Sequence, residues 1–176
     1  MSCEEPGCPP GPLERVLPPK SGSDELLRCR ACGALYRTRH TYEFLIPGSY
    51  EEDTFWRLSE DARKVITEIV ALPARRDELL STALRDPSQE IADCAALIFW
   101  GAACAGESLP QSLVAAAEAH PASSPHGLNQ SYRGLLEILR RGPAEAAAVG
   151  AALDRARALG REHVYAQTLR SALARR

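Results

Sequence analysis

Four of the six cysteines in this 176-residue chain lie in its first 32 residues and form two pairs. Cys3 and Cys8 are separated by four residues, and Cys29 and Cys32 by two, with twenty residues between the pairs. Four thiolates around a tetrahedral ion are a favoured ligand set of Zn2+, with Zn–S distances of about 2.3 Å. Gly33, directly after Cys32, permits the positive φ that tight metal-binding turns often need. The spacing predicts a Zn2+ site formed by Cys3, Cys8, Cys29 and Cys32.

The segment from Cys29 to Tyr36 resembles the second knuckle of zinc-ribbon domains, in which a Cys-x2-Cys pair is followed by glycine and a strand. The first pair departs from that pattern by its four-residue spacing and by its place at the start of the chain. The resemblance implies a structural ion, because four thiolates leave no coordination position for water or substrate. Three alternatives stay open: His40 replaces Cys3 as a ligand, iron occupies a rubredoxin-like centre, or the four thiols are reduced and hold no metal.

The other two cysteines, Cys94 and Cys104, are ten residues apart on one predicted helix, which separates them by about 15 Å. They can neither form a disulfide nor share a metal, and we expect both to be buried apolar side chains. No basic segment followed by an apolar one begins the chain, so we expect a cytoplasmic protein with reduced thiols. The longest uncharged apolar stretch, Cys94 to Gly106, is shorter than the roughly 20 residues that cross a bilayer, so we expect no membrane partner.

The first fifty residues favour a small β module. An apolar-rich run from Leu13 to Leu17 and a second run ending at Cys29 flank a turn-forming cluster, as in a hairpin. The stretch from Ala34 to Ile46 alternates between an aromatic and β-branched set that starts at Tyr36 and a polar set that starts at Arg37. This period of two predicts a strand with one buried face.

From about residue 51 the chain has apolar residues at helical spacing, interrupted by proline and glycine. Ser59 is a predicted N-cap, and Pro143 is a predicted first residue of a helix. We therefore predict a mainly α fold with two domains, a zinc-ribbon-like module (1–50) and an α-helical domain of stacked antiparallel helices (51–176). Trp56 is expected to be largely buried where the two meet. The helical residues expected to be buried are Ile98, Phe99, Leu135, Leu136 and Leu153.

The sequence from Leu79 to Pro87, followed by a helix with Ile91 and Ala95, resembles a HEAT-type repeat. The resemblance covers one unit of roughly forty residues, with no clear second copy. It implies stacked helical pairs with an extended binding face. An irregular helical bundle is the alternative interpretation.

No motif of a known enzyme active site appears in the sequence. The segment from Gly101 to Ser108 has the glycine spacing of a phosphate-binding loop, but Glu107 replaces the lysine and would repel phosphate. There is no Gly-x-Ser-x-Gly motif and no pair of histidines four residues apart beside His163. We therefore predict no catalytic residues, no small-molecule substrate and a non-enzymatic function.

Charge is unevenly distributed, with a net of −7 over residues 51–121 and +5 over residues 122–176, against −2 overall. We predict a protein-interaction module or adaptor that binds a protein partner through its helical scaffold. The alternative is a nucleic-acid-binding regulatory protein, disfavoured by the acidic segment. Its phosphate contacts would come from two arginine groups: Arg28, Arg30, Arg37 and Arg39, and then Arg133, Arg140, Arg141, Arg155, Arg157 and Arg161.

Overall fold

The computed structural model describes residues 12–17, 24–45 and 48–175, and for residues 40–45 and 48–53 it describes the backbone alone. Within these ranges four strands are followed by seven α-helices and a short 3₁₀ turn, which confirms a mainly helical protein with a small β element. The elements are β1 (Leu13–Arg15), β2 (Asp24–Cys29), β3 (Leu35–Leu45), β4 (Gly48–Arg57), α1 (Glu60–Ala71), α2 (Arg76–Ala83), α3 (Gln89–Cys104), α4 (Pro110–Ala117), α5 (Pro125–Arg141), α6 (Pro143–Ala158) and α7 (Ala166–Ala174). The zinc-ribbon and HEAT resemblances stay predictions.

The strands form one antiparallel sheet in the order β1-β2-β3-β4, so each strand pairs with its neighbour in sequence. The predicted hairpin is present as β1 and β2, and the alternating stretch forms β3. Strand β4 was not predicted, since helix was expected from about residue 51. It pairs with β3 from Leu45↔Gly48 to Tyr36↔Arg57, and so runs across the predicted domain boundary at residue 50.

The sheet has two different faces. Residues paired directly across antiparallel strands share a face, so Leu26, Arg37 and Trp56 lie on one face while Leu27, Tyr36 and Arg57 lie on the other. The first face meets the helices, where Leu26 joins the main hydrophobic core. The second carries a small separate cluster of Leu13, Cys29, Ala34 and Tyr36. The arginine-bearing face of β3 therefore turns toward the helical layer.

The prediction for Trp56 was wrong, because its relative exposure is 45%. It lies opposite Arg37 on the face toward the helices, but at this point the helices leave an open cleft instead of covering the sheet. The neighbouring Phe55, on the other face, is 43% exposed. Strand β4 therefore presents one half-exposed aromatic ring on each face.

Helix α3 is the centre of the helical layer and is buried over most of its length, from Ile91 to Ala103. Four of the predicted core residues, Ile98, Phe99, Leu135 and Leu153, are fully buried. The fifth, Leu136, is half-buried. Helix α5 packs closely on α3 at Gly134, where a Cβ atom would lie 2.5 Å from Phe99 Cε1.

Several local predictions are confirmed, and one about a cysteine is corrected. The Ser59 side chain accepts a hydrogen bond from the Ala62 amide as N-cap of α1, and Pro143 begins α6. Cys94 is buried as expected, whereas Cys104 is exposed because it is the last residue of α3. Among the described helices, none combines the length and the apolar character that crossing a membrane requires.

Candidate functional site

The second cysteine pair lies in the turn between β2 and β3. Cys29 ends β2 and is buried, whereas Cys32 is exposed. The Gly33 amide donates to the Cys29 carbonyl at 2.8 Å, the Cys29 amide donates to the Ala34 carbonyl at 2.9 Å, and Gly33 has the expected positive φ of 72°. The turn has the tight backbone that two neighbouring thiolate ligands need.

The other predicted metal ligands, Cys3 and Cys8, lie outside the described residues, as does the side chain of the alternative ligand His40. Over the side chains that the structure describes, no three His, Cys, Asp or Glu residues are grouped as a metal site. Cys94 lies apart from the turn, and burial raises its pKa to about 12, so its thiol stays protonated. The zinc site formed by four cysteines stays a prediction.

Helix α1 lies within electrostatic range of the cysteine turn. Glu60 raises the pKa of Arg63 in α1 by a direct ion pair at 2.6 Å, and Cys32 adds a smaller electrostatic contribution.

A cleft of about 720 Å³ lies between the sheet and the first turns of α3 and α5. Arg37, Arg39 and Trp56 line it from β3 and β4, and Asp93 and His126 line it from the two helices. We refer to it as the Trp56 cleft. The Arg39 guanidinium lies over the indole ring of Trp56, 6.0 Å from the ring centroid. The guanidinium group and the indole ring therefore attract each other electrostatically, and both line the cleft.

Arg37 forms the charged floor of the cleft. Its guanidinium lies 3.4 Å from a carboxylate oxygen of Asp24 in β2 and 3.4 Å from one of Asp93 in α3. The Asp24 side chain is 2% exposed, so an unpaired charge there would be strongly destabilising. Arg37 therefore bridges the sheet and α3 through these two ion pairs.

Asp24 also contacts α5. Its Oδ2 atom accepts a hydrogen bond from Gln130 Nε2 at 2.9 Å and contacts His126 Nε2. Burial raises the pKa of Asp24, but the contacts with His126 and Arg37 outweigh it and lower the pKa below its usual value. A charged Asp24 thus holds β2, β3 and α5 together.

The acidic side chains of the cleft wall cap helices. Asp93 accepts hydrogen bonds from the Ser124 amide at 3.1 Å and the Ser124 hydroxyl at 2.6 Å, immediately before α5. Glu90 accepts a hydrogen bond from the Ser59 amide at 3.2 Å, immediately before α1. Each carboxylate compensates unpaired amides at a helix start. Neither is therefore available as a simple exposed negative charge.

Sequence reasoning did not identify Asp24, Asp93, Gln130 or His126 as residues of a site. The structure places His126 in the first turn of α5, against Asp24, which is 102 residues away in sequence. Ser124 followed by Pro125 is a sequence signal for the start of a helix, and it predicts that His126 lies in the first turn of that helix. The pairing with Asp24 depends on how sheet and helices pack, and no local pattern contains it.

Most arginines of the two predicted phosphate-binding groups are engaged within the chain. Arg28 and Arg30 both pair with Glu14, and Arg37 and Arg39 both approach Asp24. In the second group, four of six make described contacts: Arg133 with the Trp100 ring, Arg140 with Glu137, Arg141 with the Ala103 and Glu107 carbonyls, and Arg161 with Glu118. Seven of the ten predicted cations therefore have close partners in the chain, and Arg39 has its long contact with Asp24.

Comparison with protein-family models, with curated proteins and with solved structures found no match for this chain.

Proposed function

We propose that this chain is a non-enzymatic protein-interaction module and that its partner binds at the Trp56 cleft. The observation that carries the proposal is that Trp56, at 45% exposure, and Arg39 lie together on a concave surface. Trp and Arg dominate measured protein–protein binding energies, most strongly where a pocket excludes water. We therefore propose an interface at the junction of sheet and helices, where the sequence alone predicted one on the helical scaffold.

The zinc ion belongs to the same proposal as a structural element bound by Cys3, Cys8, Cys29 and Cys32. The backbone supports this ligand set, because the Arg30 amide donates to the Pro12 carbonyl at 3.0 Å. Four extended residues span at most about 14 Å, so Cys8 is within reach of the cysteine turn. A bound ion would hold the end of the β2–β3 hairpin, whose strands carry Asp24, Arg37 and Arg39.

Nucleic-acid binding has less support, because most of the predicted phosphate-binding arginines already pair within the chain. A binder that makes several phosphate contacts loses affinity by orders of magnitude between low and physiological salt. Gel-shift titration with generic DNA and RNA at about 0.15 M salt tests this alternative. Tight binding there that is weakened by Arg30→Ala would favour it over a protein partner.

The proposal can be tested with a photoreactive phenylalanine analogue at position 56 and, as a matched control, at position 164. Val164 is 70% exposed and lies before α7, outside the cleft. We expect a protein adduct at position 56 that is absent at position 164. The adduct identifies the partner, which is then purified for binding measurements.

With the purified partner, Trp56→Ala should weaken binding at least tenfold, about 1.4 kcal/mol, whereas Val164→Ala should leave it unchanged. Circular dichroism of both variants checks that they are folded. Adducts of equal yield at both positions, no protein adduct specific to position 56, or wild-type affinity of Trp56→Ala would each refute the proposal.

A further inference from the structure

We propose that the Trp56 cleft recognises a carboxylate side chain in an acidic, partly apolar segment of the partner, with Arg39 as its receptor. The inference rests on the proposed function and specifies the chemistry that the cleft selects. It follows from the exposure and the contacts of the charged groups in the cleft.

Arg39 is an exposed cation of the cleft that keeps donors available, and Arg57, which also lines the cleft, has an interaction within the chain. The Arg39 side chain is 44% exposed, and its contact with Asp24 is long, at 3.9 Å from Nε to Oδ1. Arg37, by contrast, is 15% exposed and bridges two buried carboxylates. A guanidinium group has five N–H donors in a fork that matches a carboxylate with two parallel hydrogen bonds. Arg39 can therefore bind an acidic side chain without giving up its long contact with Asp24.

The acidic groups of the cleft already have partners within the chain, which disfavours binding of a cationic side chain. The carboxylates of Asp93 and Glu90 accept hydrogen bonds from Ser124 and Ser59, and Asp24 is 2% exposed beneath Arg37. A lysine or arginine of the partner would compete with these hydrogen bonds for the same carboxylate oxygens. A carboxylate on Arg39 displaces none of them.

Trp56 supplies an apolar surface next to the receptor. The Arg39 guanidinium is 6.0 Å from its ring centroid, so a carboxylate bound there places its methylene groups, or a neighbouring apolar residue, near the indole. An aromatic side chain of this size buries about 150–250 Å² when covered. This combination fits acidic residues interspersed with apolar ones.

A continuous polyanion fits less well. Strand β4 carries the consecutive acids Glu51, Glu52 and Asp53 shortly before Trp56, and residues 51–121 have a net charge of −7. A phosphodiester chain long enough to leave the cleft would meet this charge. An isolated carboxylate in a protein segment can bind at Arg39 without the rest of the segment following this acidic stretch.

The experiment uses nuclear magnetic resonance of the two indole N–H groups, since the chain has two tryptophans. Trp56 is 45% exposed and reports on the cleft, whereas Trp100, at 8%, is the internal control, and the variant Trp56→Phe assigns the signals. The probes are acetyl-Leu-Glu-Leu-Glu-Leu-amide, its twin with glutamine in place of glutamate, and adenosine monophosphate. We expect the acidic peptide to shift the Trp56 signal alone, with a Kd on the order of 1 mM.

The glutamine twin should bind at least fivefold more weakly, and Arg39→Gln should reduce binding of the acidic peptide by a similar factor. Arg30→Gln is the matched control, because Arg30 is an exposed arginine that pairs with Glu14 outside the cleft, and it should leave binding unchanged. Equal binding of both peptides, no shift of the Trp56 signal, wild-type binding by Arg39→Gln, or tighter binding of adenosine monophosphate would each overturn the inference.

The two proposals fail separately. If the crosslinked partner needs Trp56 but is insensitive to Arg39→Gln and to neutralisation of its own acidic residues, the interaction site stands and carboxylate recognition is refuted. If the acidic peptide binds through Arg39 but no protein adduct forms at position 56, carboxylate recognition stands and the partner assignment is refuted.

Discussion

Cys29 and Cys32 are three positions apart at the same turn, where Cys29 is buried and Cys32 is exposed. Both are expected to be zinc ligands. Cys29→Ser or Cys32→Ser should abolish metal binding, since three thiolates hold the ion far less tightly than four. Elemental analysis of the purified protein should give one Zn2+ per chain for the wild type and no bound metal for these variants. Cys94→Ser and Cys104→Ser are controls that should retain the ion. A wild-type protein without stoichiometric metal would contradict the prediction.

His163 is a buried histidine whose titration should affect stability. Its Nδ1 accepts a hydrogen bond from the Tyr165 amide at 3.1 Å, and it is 2% exposed. Burial lowers its pKa to about 4, against a partial opposing effect of the Leu128 backbone. The unfolded chain binds a proton there below about pH 6.5 and the folded chain only near pH 4, so stability is lost as the pH falls between these values.

The expected contribution of His163 is a loss of about 2–3 kcal/mol between pH 7.5 and pH 4.5. Urea unfolding at the two pH values measures it. In His163→Asn, whose Oδ1 can still accept the Tyr165 hydrogen bond, the difference between the two pH values should shrink by that amount. An unchanged difference would show that the histidine does not titrate in this way.

At the residue scale, sequence reasoning succeeded where a local rule decides the conformation. Gly33 follows a cysteine pair in a tight turn, and Ser59 precedes two acids at a helix start, so neighbouring residues contain the signal. Asp24 and His126 are in contact because sheet and helix pack together, and that contact depends on the whole fold. The same reason made Trp56 unpredictable, since its exposure depends on where the helical layer stops.

Glycine sets the distance between helices α3 and α5. Gly134→Ala should lower the free energy of unfolding by about 1–3 kcal/mol, because the added Cβ would lie 2.5 Å from the fully buried Phe99 ring. Gly150→Ala in α6 is a matched control, since its Cβ would make an ordinary 3.6 Å contact with Leu173. That variant should gain about 0.5–1 kcal/mol from helix propensity. Thermal and urea unfolding measure both, and a stabilising Gly134→Ala would disprove the close approach.

At the element scale, the helices were predictable because a period of 3.6 persists over several turns. Strand β4 was not, since Glu51, Glu52 and Asp53 resemble the acidic start of a helix as much as part of a strand. Its pairing with β3 outweighs that local preference, as tertiary context commonly does. The aromatic residues Phe55 and Trp56 favour a strand and were the signal that could have extended the β segment.

At the scale of the whole molecule, sheet and helices share one hydrophobic core, and they are therefore expected to unfold together. Leu26 in β2 is fully buried in that core, whereas Leu27 lies on the opposite face and is half-buried. Leu26→Ala should cost about 2–5 kcal/mol and shift the thermal transition of the helices themselves, followed by far-UV circular dichroism. Leu27→Ala should cost about 1 kcal/mol. A helical transition unaffected by Leu26→Ala would mean that the sheet and helices unfold separately.

The position of β4 at the end of the described sheet order also bears on how copies of this protein behave toward one another. An edge strand with two half-exposed aromatics is a template on which a second chain can add a strand and begin to aggregate. Glu51, Glu52 and Asp53 lie in that same strand, and like charges directly opposite each other disfavour such stacking. These acidic residues are therefore expected to disfavour strand addition at β4 between copies of the protein near neutral pH.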